Sequence, residues 1–253
     1  MTAPRPAPRT VHRFAGAEAL VEAAADEVFR LAEEAVRLRG VFWLVLAGGR
    51  TPRALYERLA KAGAASHAAW HRWQVLFGDE RMVPPDHPDS NARMARESWL
   101  DHVAIPSAQV HAIPSVPPDP IAAAAAYEGT IRSLTGATSP GIPVLDVILL
   151  GMGEDGHTAS LFPGSLLLEE RVRLAAAVRK APKPPPDRVT LTLPILTAAR
   201  HVRFLVTGAD KASALARIHA DEPATQRLPI GLVERGAADP AWYVDDAAMG
   251  GPD

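Results

Sequence analysis

The segment Gly151-Met-Gly-Glu-Asp-Gly-His-Thr-Ala-Ser-Leu-Phe-Pro163 sets an imidazole beside a carboxylate among glycines. Imidazole is substantially neutral near physiological pH, so His157 has the chemistry of a general base. Asp155 has that of the group that orients the ring and stabilises its protonated form. The same segment holds a literal GxGxxG, the pattern by which dinucleotide folds cradle a pyrophosphate. Three features argue against that use. Glu154 and Asp155 would put carboxylates where the pyrophosphate must lie, Pro163 interrupts the helix that must follow, and no acid closes a second strand about 20 residues on.

Other residues of chemical use stand in short clusters. Gly48-Gly49-Arg50-Thr51-Pro52 offers a tight turn, unpaired N–H groups at a helix start, a charge and a hydroxyl, which together suit a phosphate or carboxylate. The same residues also make a plain strand-to-helix turn with a threonine cap. In Gly78-Asp79-Glu80-Arg81, Arg81 can hold an anion and Asp79 a sugar hydroxyl, or the cluster is a solvated loop with a local ion pair. Arg188 follows a proline-rich bend. Lys211 falls in the first turn of a helix, where its charge opposes the helix dipole. Asp79, Glu80, Asp155 and His157 have the donor types of a divalent-ion site, but their spacing does not require one, and no HExxH or other paired zinc spacing occurs. No metal and no cofactor is expected.

These clusters need elements to position them. Apolar residues recur at helical spacing over residues 17–39, ending at Gly40. Residues 41–47 form a continuous apolar run, the pattern of a strand buried on both faces, and a helix is predicted from 52 to 61. Further strands are predicted at 73–77, 144–150, 188–193 and 202–206. Helices are predicted from Ser90 or Asn91 to 100, from 119–120 to 134, and from Asp210 to 219. Strands alternating with helices over short connections predict an α/β fold: a three-layer α/β/α domain with a mostly parallel, Rossmann-like sheet and helices on both faces. Residues 1–12 read as a flexible arm. Residues 13–253 read as a single catalytic domain with a small appendage near 160–185. Ligands of such sheets bind beyond the carboxyl ends of the strands, where the clusters fall.

Composition narrows the function. Of 253 residues, 47% are apolar and 22% charged, and 27 basic against 29 acidic residues leave a net charge of −2. So balanced a chain has no global field for nucleic acid or an anionic membrane. It has no cysteine, which excludes disulfides, thiolate metal sites and a cysteine nucleophile. No apolar run approaches a membrane span and no signal peptide is evident, so a cytoplasmic protein is expected, a monomer or weak homo-oligomer acting on a small molecule.

Taken together, Ala47-Gly-Gly-Arg-Thr-Pro52, Gly78-Asp-Glu-Arg-Met-Val-Pro84, Ser90-Asn91, the segment 151–163 and Thr207-Gly-Ala-Asp-Lys-Ala212 resemble the 6-phosphogluconolactonase family, in this order and over residues 40–235. Position 50 is often serine in that family and is arginine here. The sister glucosamine-6-phosphate deaminase/isomerase family shares the GG-x-T-P turn, the DE pair and the DGH core. It carries a glutamate five residues after the histidine, where this chain has Phe162.

The resemblance implies hydrolysis of 6-phospho-D-glucono-1,5-lactone. The phosphate would dock on Gly48, Gly49, Arg50 and Thr51, helped by Arg188 and Lys211. His157, held by Asp155, would activate water, with Asp79 in the catalytic set. Arg81 or backbone N–H groups of residues 151–156 would hold the oxyanion. Two rival functions are the sister family's ring-opening chemistry and a sugar-phosphate sensor without turnover.

Overall fold

The computed structural model describes residues 9–65, 68–116 and 118–251. Its first elements are β1 (Thr10–Phe14), α1 (Ala17–Arg39), β2 (Phe42–Leu46), α2 (Arg50–Ala65), β3 (Trp73–Phe77), β4 (Asp79–Arg81), α3 (Asn91–Ser98), β5 (Val110–His111) and α4 (Pro120–Thr135). There follow β6 (Val147–Gly151), β7 (Ala175–Val178), β8 (Arg188–Leu191), α5 (Leu193–Ala198), β9 (His201–Val206), α6 (Ala212–His219), α7 (Pro229–Gly236) and β10 (Pro240–Asp245).

Seven strands form one parallel sheet in the order β1-β10-β9-β6-β2-β3-β5, enclosed by helices as a three-layer α/β/α fold. The apolar runs behave as their pattern predicts: Leu44, Val45 and Leu46 of β2 and Val147, Ile148 and Leu149 of β6 are essentially inaccessible to solvent. Helix α1 turns Leu20, Ala24, Val28, Leu31 and Ala35 to the core. It ends where Gly40 adopts φ 75° and donates its N–H to Val36 O, a left-handed stop that a residue with Cβ enters only under strain. Each such leucine or valine contributes about 1.5–3 kcal/mol through burial.

The strand order fixes where a ligand can enter. From β2 the chain moves outward to β3 and β5, then returns through β6 to the other side of β2. Between β2 and β6 the connections diverge, which opens a crevice at the carboxyl ends of those two strands. Their ends carry Gly48-Gly49 and the segment 151–163.

A second, antiparallel sheet, β4-β8-β7, stands beside this crevice. Gly78 joins the two sheets: its N–H donates to Leu46 O in the large one and its carbonyl accepts from Leu191 N in the small one. The stretch read as an appendage thus contributes β7 to this sheet, and β8, expected as part of the main sheet, lies in it as well. Other expected boundaries shift. Helix α2 starts two residues earlier, at Arg50, so Thr51 lies inside its first turn rather than capping it. A short 3-10 turn at Ala209–Lys211 precedes α6, and Asp210 makes no cap bond.

The expected arm, residues 1–12, is described only from Arg9 on. Residues 1–8 lie outside the described residues, but Thr10–Phe14 is the sheet's edge strand, in register with Ala241 to Asp245. Arg9 explains the anchorage: its guanidinium donates to Glu234 and Asp221 and to the carbonyls of Ile218 and His219.

That cluster yields a prediction about acid stability. His219 packs edge-on against Trp242, 5.1 Å between centroids, and its Nε2 is buried without a hydrogen-bond partner. Burial, and then the Arg9 charge, push its pKa down to about 4. The unfolded value is about 6.5. The neutral ring is therefore the one the fold accepts, and its stabilisation is complete above pH of about 6.5 and lost as pH falls toward 4. The stability difference between the wild type and His219→Gln, measured by denaturant unfolding, is expected to shrink over that interval. A difference that does not change with pH refutes the assignment.

Candidate active site

A cavity of about 220 Å³ opens at the β2–β6 crevice. Gly48 and Gly49 form one side, Gly151, Gly153 and His157 another, and Asp79, Arg81 and Arg188 of the small sheet a third, with Lys183 and Lys211 also on the wall. The histidine and the glycine turn, 108 residues apart in sequence, thus face the same space.

His157 and Asp155 form a tight pair, Nδ1 to Oδ1 2.5 Å, and the His157 backbone N–H points to the same oxygen at 3.3 Å. Partial burial alone would raise the Asp155 carboxyl. The hydrogen bond and charge of His157 outweigh it and hold the carboxyl below its ordinary value. Nδ1 is thereby committed as donor and Nε2 is left to accept a proton. The loop is shaped for this pair. Gly156 N–H donates to Gly153 O, Gly153 N–H to His157 O, and the Thr158 hydroxyl to Gly151 O. A methyl group on Gly153 would overlap His157 Nδ1 and Cε1 and lie 2.6 Å from Asp155 Oδ1. The Phe162 ring packs against the imidazole, 4.8 Å between centroids.

The charged strand β4 divides its residues by strand alternation. Asp79 and Arg81 turn to the cavity, while Glu80 turns to the start of α3. Glu80 accepts from the backbone N–H groups of Arg81, Asn91 and Ala92 and from the Ser90 hydroxyl, so it satisfies donors that a helix start leaves unpaired. Desolvation nevertheless raises its pKa. A carboxylate so engaged does not converge with Asp155 and His157, and among the described residues no three metal-ligating side chains are grouped to hold an ion.

Asp79, expected in the catalytic set, lies on the cavity wall. It is 6% exposed, and its two oxygens accept from Ser160 Oγ at 2.6 Å and Asn91 Nδ2 at 3.1 Å. It ties β4 to the histidine loop and to α3, a positioning role. Asn91 in turn lies against Gly48, where a Cβ would overlap its amide.

The cations also sort themselves. Arg188 faces Arg81 across the β4–β8 pair, but its guanidinium is largely spent: Nε donates to Pro185 O, Nη2 to the carbonyls of Lys183 and Pro184, and Nη1 to Ser160 Oγ at 3.3 Å. Burial, then the Arg81 charge, lower its pKa. Arg81 donates to Asp89 O and otherwise faces the cavity. Lys211 is paired with Asp210 at 2.9 Å. Thr51 Oγ1 is bonded to Thr207 Oγ1 at 2.6 Å, a link between the first turn of α2 and the end of β9. Neither Thr51 nor the exposed Arg50 lines the cavity, although the Arg50 charge reaches Asp210 and so lies near the Lys211 corner.

Of the expected residues, the structure brings His157, Asp79, Arg81, Gly48, Gly49, Arg188 and Lys211 around one cavity, with Asp155 behind His157. Sequence reasoning passed over Lys183 on the wall and Ser160 behind it. Ser160 carried a signal in the motif 151–163; Lys183, in the proline-rich bend, carried none. Among the described residues no helix is long and apolar enough to cross a membrane.

Known proteins are similar to this chain over nearly its whole length. The sequence profile described as glucosamine-6-phosphate isomerases/6-phosphogluconolactonase matches residues 15–242. A 6-phosphogluconolactonase of Nostoc sp. is 39% identical over 240 residues, covering 95% of this chain and 97% of that one. The human 6-phosphogluconolactonase is 41% identical over 246 residues, 96% and 93% of the two chains. The solved 6-phosphogluconolactonase of Trypanosoma brucei superposes with a TM-score of 0.84 at 30% identity, covering 96% of this chain and 98% of that one. The chain belongs to the glucosamine-6-phosphate isomerase/6-phosphogluconolactonase family.

Proposed function

We propose that this chain hydrolyses 6-phospho-D-glucono-1,5-lactone to 6-phospho-D-gluconate, with His157 as general base toward water and without a metal. The observation that carries the reading is the Asp155-held imidazole on a cavity whose wall also bears Arg81, Lys183, Arg188 and Lys211. Cationic side chains and the Gly48-Gly49 backbone hold the phosphate at one end, which orients the ring so that its carbonyl carbon lies by His157. Water attacks that carbon as Nε2 takes its proton. Arg81 and the N–H groups of the 151–156 loop receive the oxyanion. When the carbon–ring-oxygen bond breaks, the imidazolium returns the proton to the departing oxygen. An ester carbonyl needs no Lewis acid for this sequence, which supports the metal-free reading.

Between the two activities of the family, Phe162 favours the lactonase. Where the ring-opening relatives are expected to carry a glutamate, this chain sets an apolar ring against the base, and such a ring exchanges no protons. The test is proton release on adding freshly generated 6-phosphogluconolactone, measured above spontaneous hydrolysis, beside ammonia release from glucosamine 6-phosphate. Rapid lactone hydrolysis without ammonia is expected. Ammonia release, or binding of the lactone without turnover, overturns the reading.

A further inference from the structure

Two lysines reach the cavity, and each rests on a carboxylate of its own rim. Lys211 pairs with its neighbour Asp210, whereas Lys183 pairs with Glu154, 29 residues away, at 2.8 Å. Neither Asp210 nor Glu154 lines the cavity, but both lysines do. Glu154 stands one residue before Asp155 and three before His157, so the Lys183 ammonium is held beside the loop that carries the base.

The placement of Lys183 is constructed. The bend 181–187 is closed by Ala181 N–H to Pro186 O, and Arg188, 4% exposed, lies behind it. Its guanidinium donates to the carbonyls of Lys183, Pro184 and Pro185 in succession and stacks over Phe162, 5.6 Å from the ring centroid. A buried cation that spends its donors on three consecutive carbonyls works as a template for backbone, and the side chain that this template directs to the cavity is Lys183. Its partner is weak by construction. Lys183 is 39% exposed and Glu154 62%, and an ion pair so open to water is easily exchanged. A phosphate dianion offers an ammonium more charge and more acceptor oxygens than a single carboxylate does.

We propose that Lys183 is a ligand of the substrate's phosphate, parked on Glu154 in the free protein and handed to the anion on binding, with Arg188 as the residue that positions it. The assignment rests on the lactonase reading. Glu154 acts as a stand-in anion that keeps the ammonium at the rim, under the added field of Lys211. The exchange costs some affinity.

The experiment compares wild type, Lys183→Met and Glu154→Gln on 6-phosphogluconolactone and on unphosphorylated gluconolactone, with calorimetric binding of 6-phosphogluconate. Lys183→Met keeps the apolar stem and removes the charge. It is expected to raise KM for the phosphorylated lactone about 10–100-fold, with kcat within about threefold of wild type, and to leave kcat/KM for gluconolactone unchanged. Glu154→Gln is expected to tighten 6-phosphogluconate about two- to fivefold, because the competing carboxylate is gone. An unchanged KM in Lys183→Met, or an equal loss on both lactones, overturns the proposal while the lactonase activity of the wild type stands. Should Lys183→Met fail to fold, weaker or unaltered binding by Glu154→Gln overturns it alone. A wild type that hydrolyses neither lactone refutes the underlying reading instead.

Discussion

His157→Ala is expected to lower kcat by about 10²–10⁴-fold with KM nearly unchanged, because it removes the proton acceptor and leaves the phosphate contacts in place. Asp155 is placed to orient the ring: the hydrogen bond of His157 outweighs partial burial and holds its carboxyl below its ordinary value. Steady-state kinetics at neutral pH make the measurement. A variant that keeps wild-type kcat removes His157 from proton transfer.

How much of this was legible beforehand depends on where the physical signal resides. β2 and β6 are buried on both faces, so their apolar runs announced them, and the glycines that follow marked the crevice at their ends. His157 and Asp155 are two residues apart, and a local pair leaves a local trace. Edge strands leave less. β1 alternates exposed and half-buried residues and β5 is two residues long; β10, inside the sheet, starts at a proline, and none of the three stood out.

The contacts of Asp79, Glu80 and Arg188 depend on partners remote in sequence. Asp79 looked free because nothing adjacent to it reveals Ser160, 81 positions away. Glu80 looked like half of a carboxylate pair, but strand alternation sends it to the N–H groups of a helix 11 residues on. Arg188 is expected as a phosphate ligand and does face the cavity, and only the folded bend shows that it also donates to three backbone carbonyls. Sequence reveals which charges are present; long-range contacts decide which remain free to meet a substrate.

Gly153→Ala tests that geometry without touching a functional group. Gly153 supplies no side chain to the reaction, yet its added methyl would occupy the volume of the His157 ring edge and crowd the Asp155 oxygen that receives Nδ1–H. The pair cannot keep its 2.5 Å contact with that group in place, so the ring must swing or Asp155 must withdraw. A displacement of about 1 Å at a reacting group costs about 10²-fold in rate, and kcat is expected to fall at least that far. The substitution sits in a loop above the sheet, so unfolding should scarcely change. Gly129→Ala provides the contrast. Gly129 lies in α4 with nothing within 4 Å of its added methyl, and the exchange should stabilise the fold by about 0.5–1 kcal/mol with kcat unaltered. If Gly153→Ala retains wild-type kcat, the imidazole does not need the orientation that Asp155 gives it, and the pair is a structural contact rather than the catalytic one.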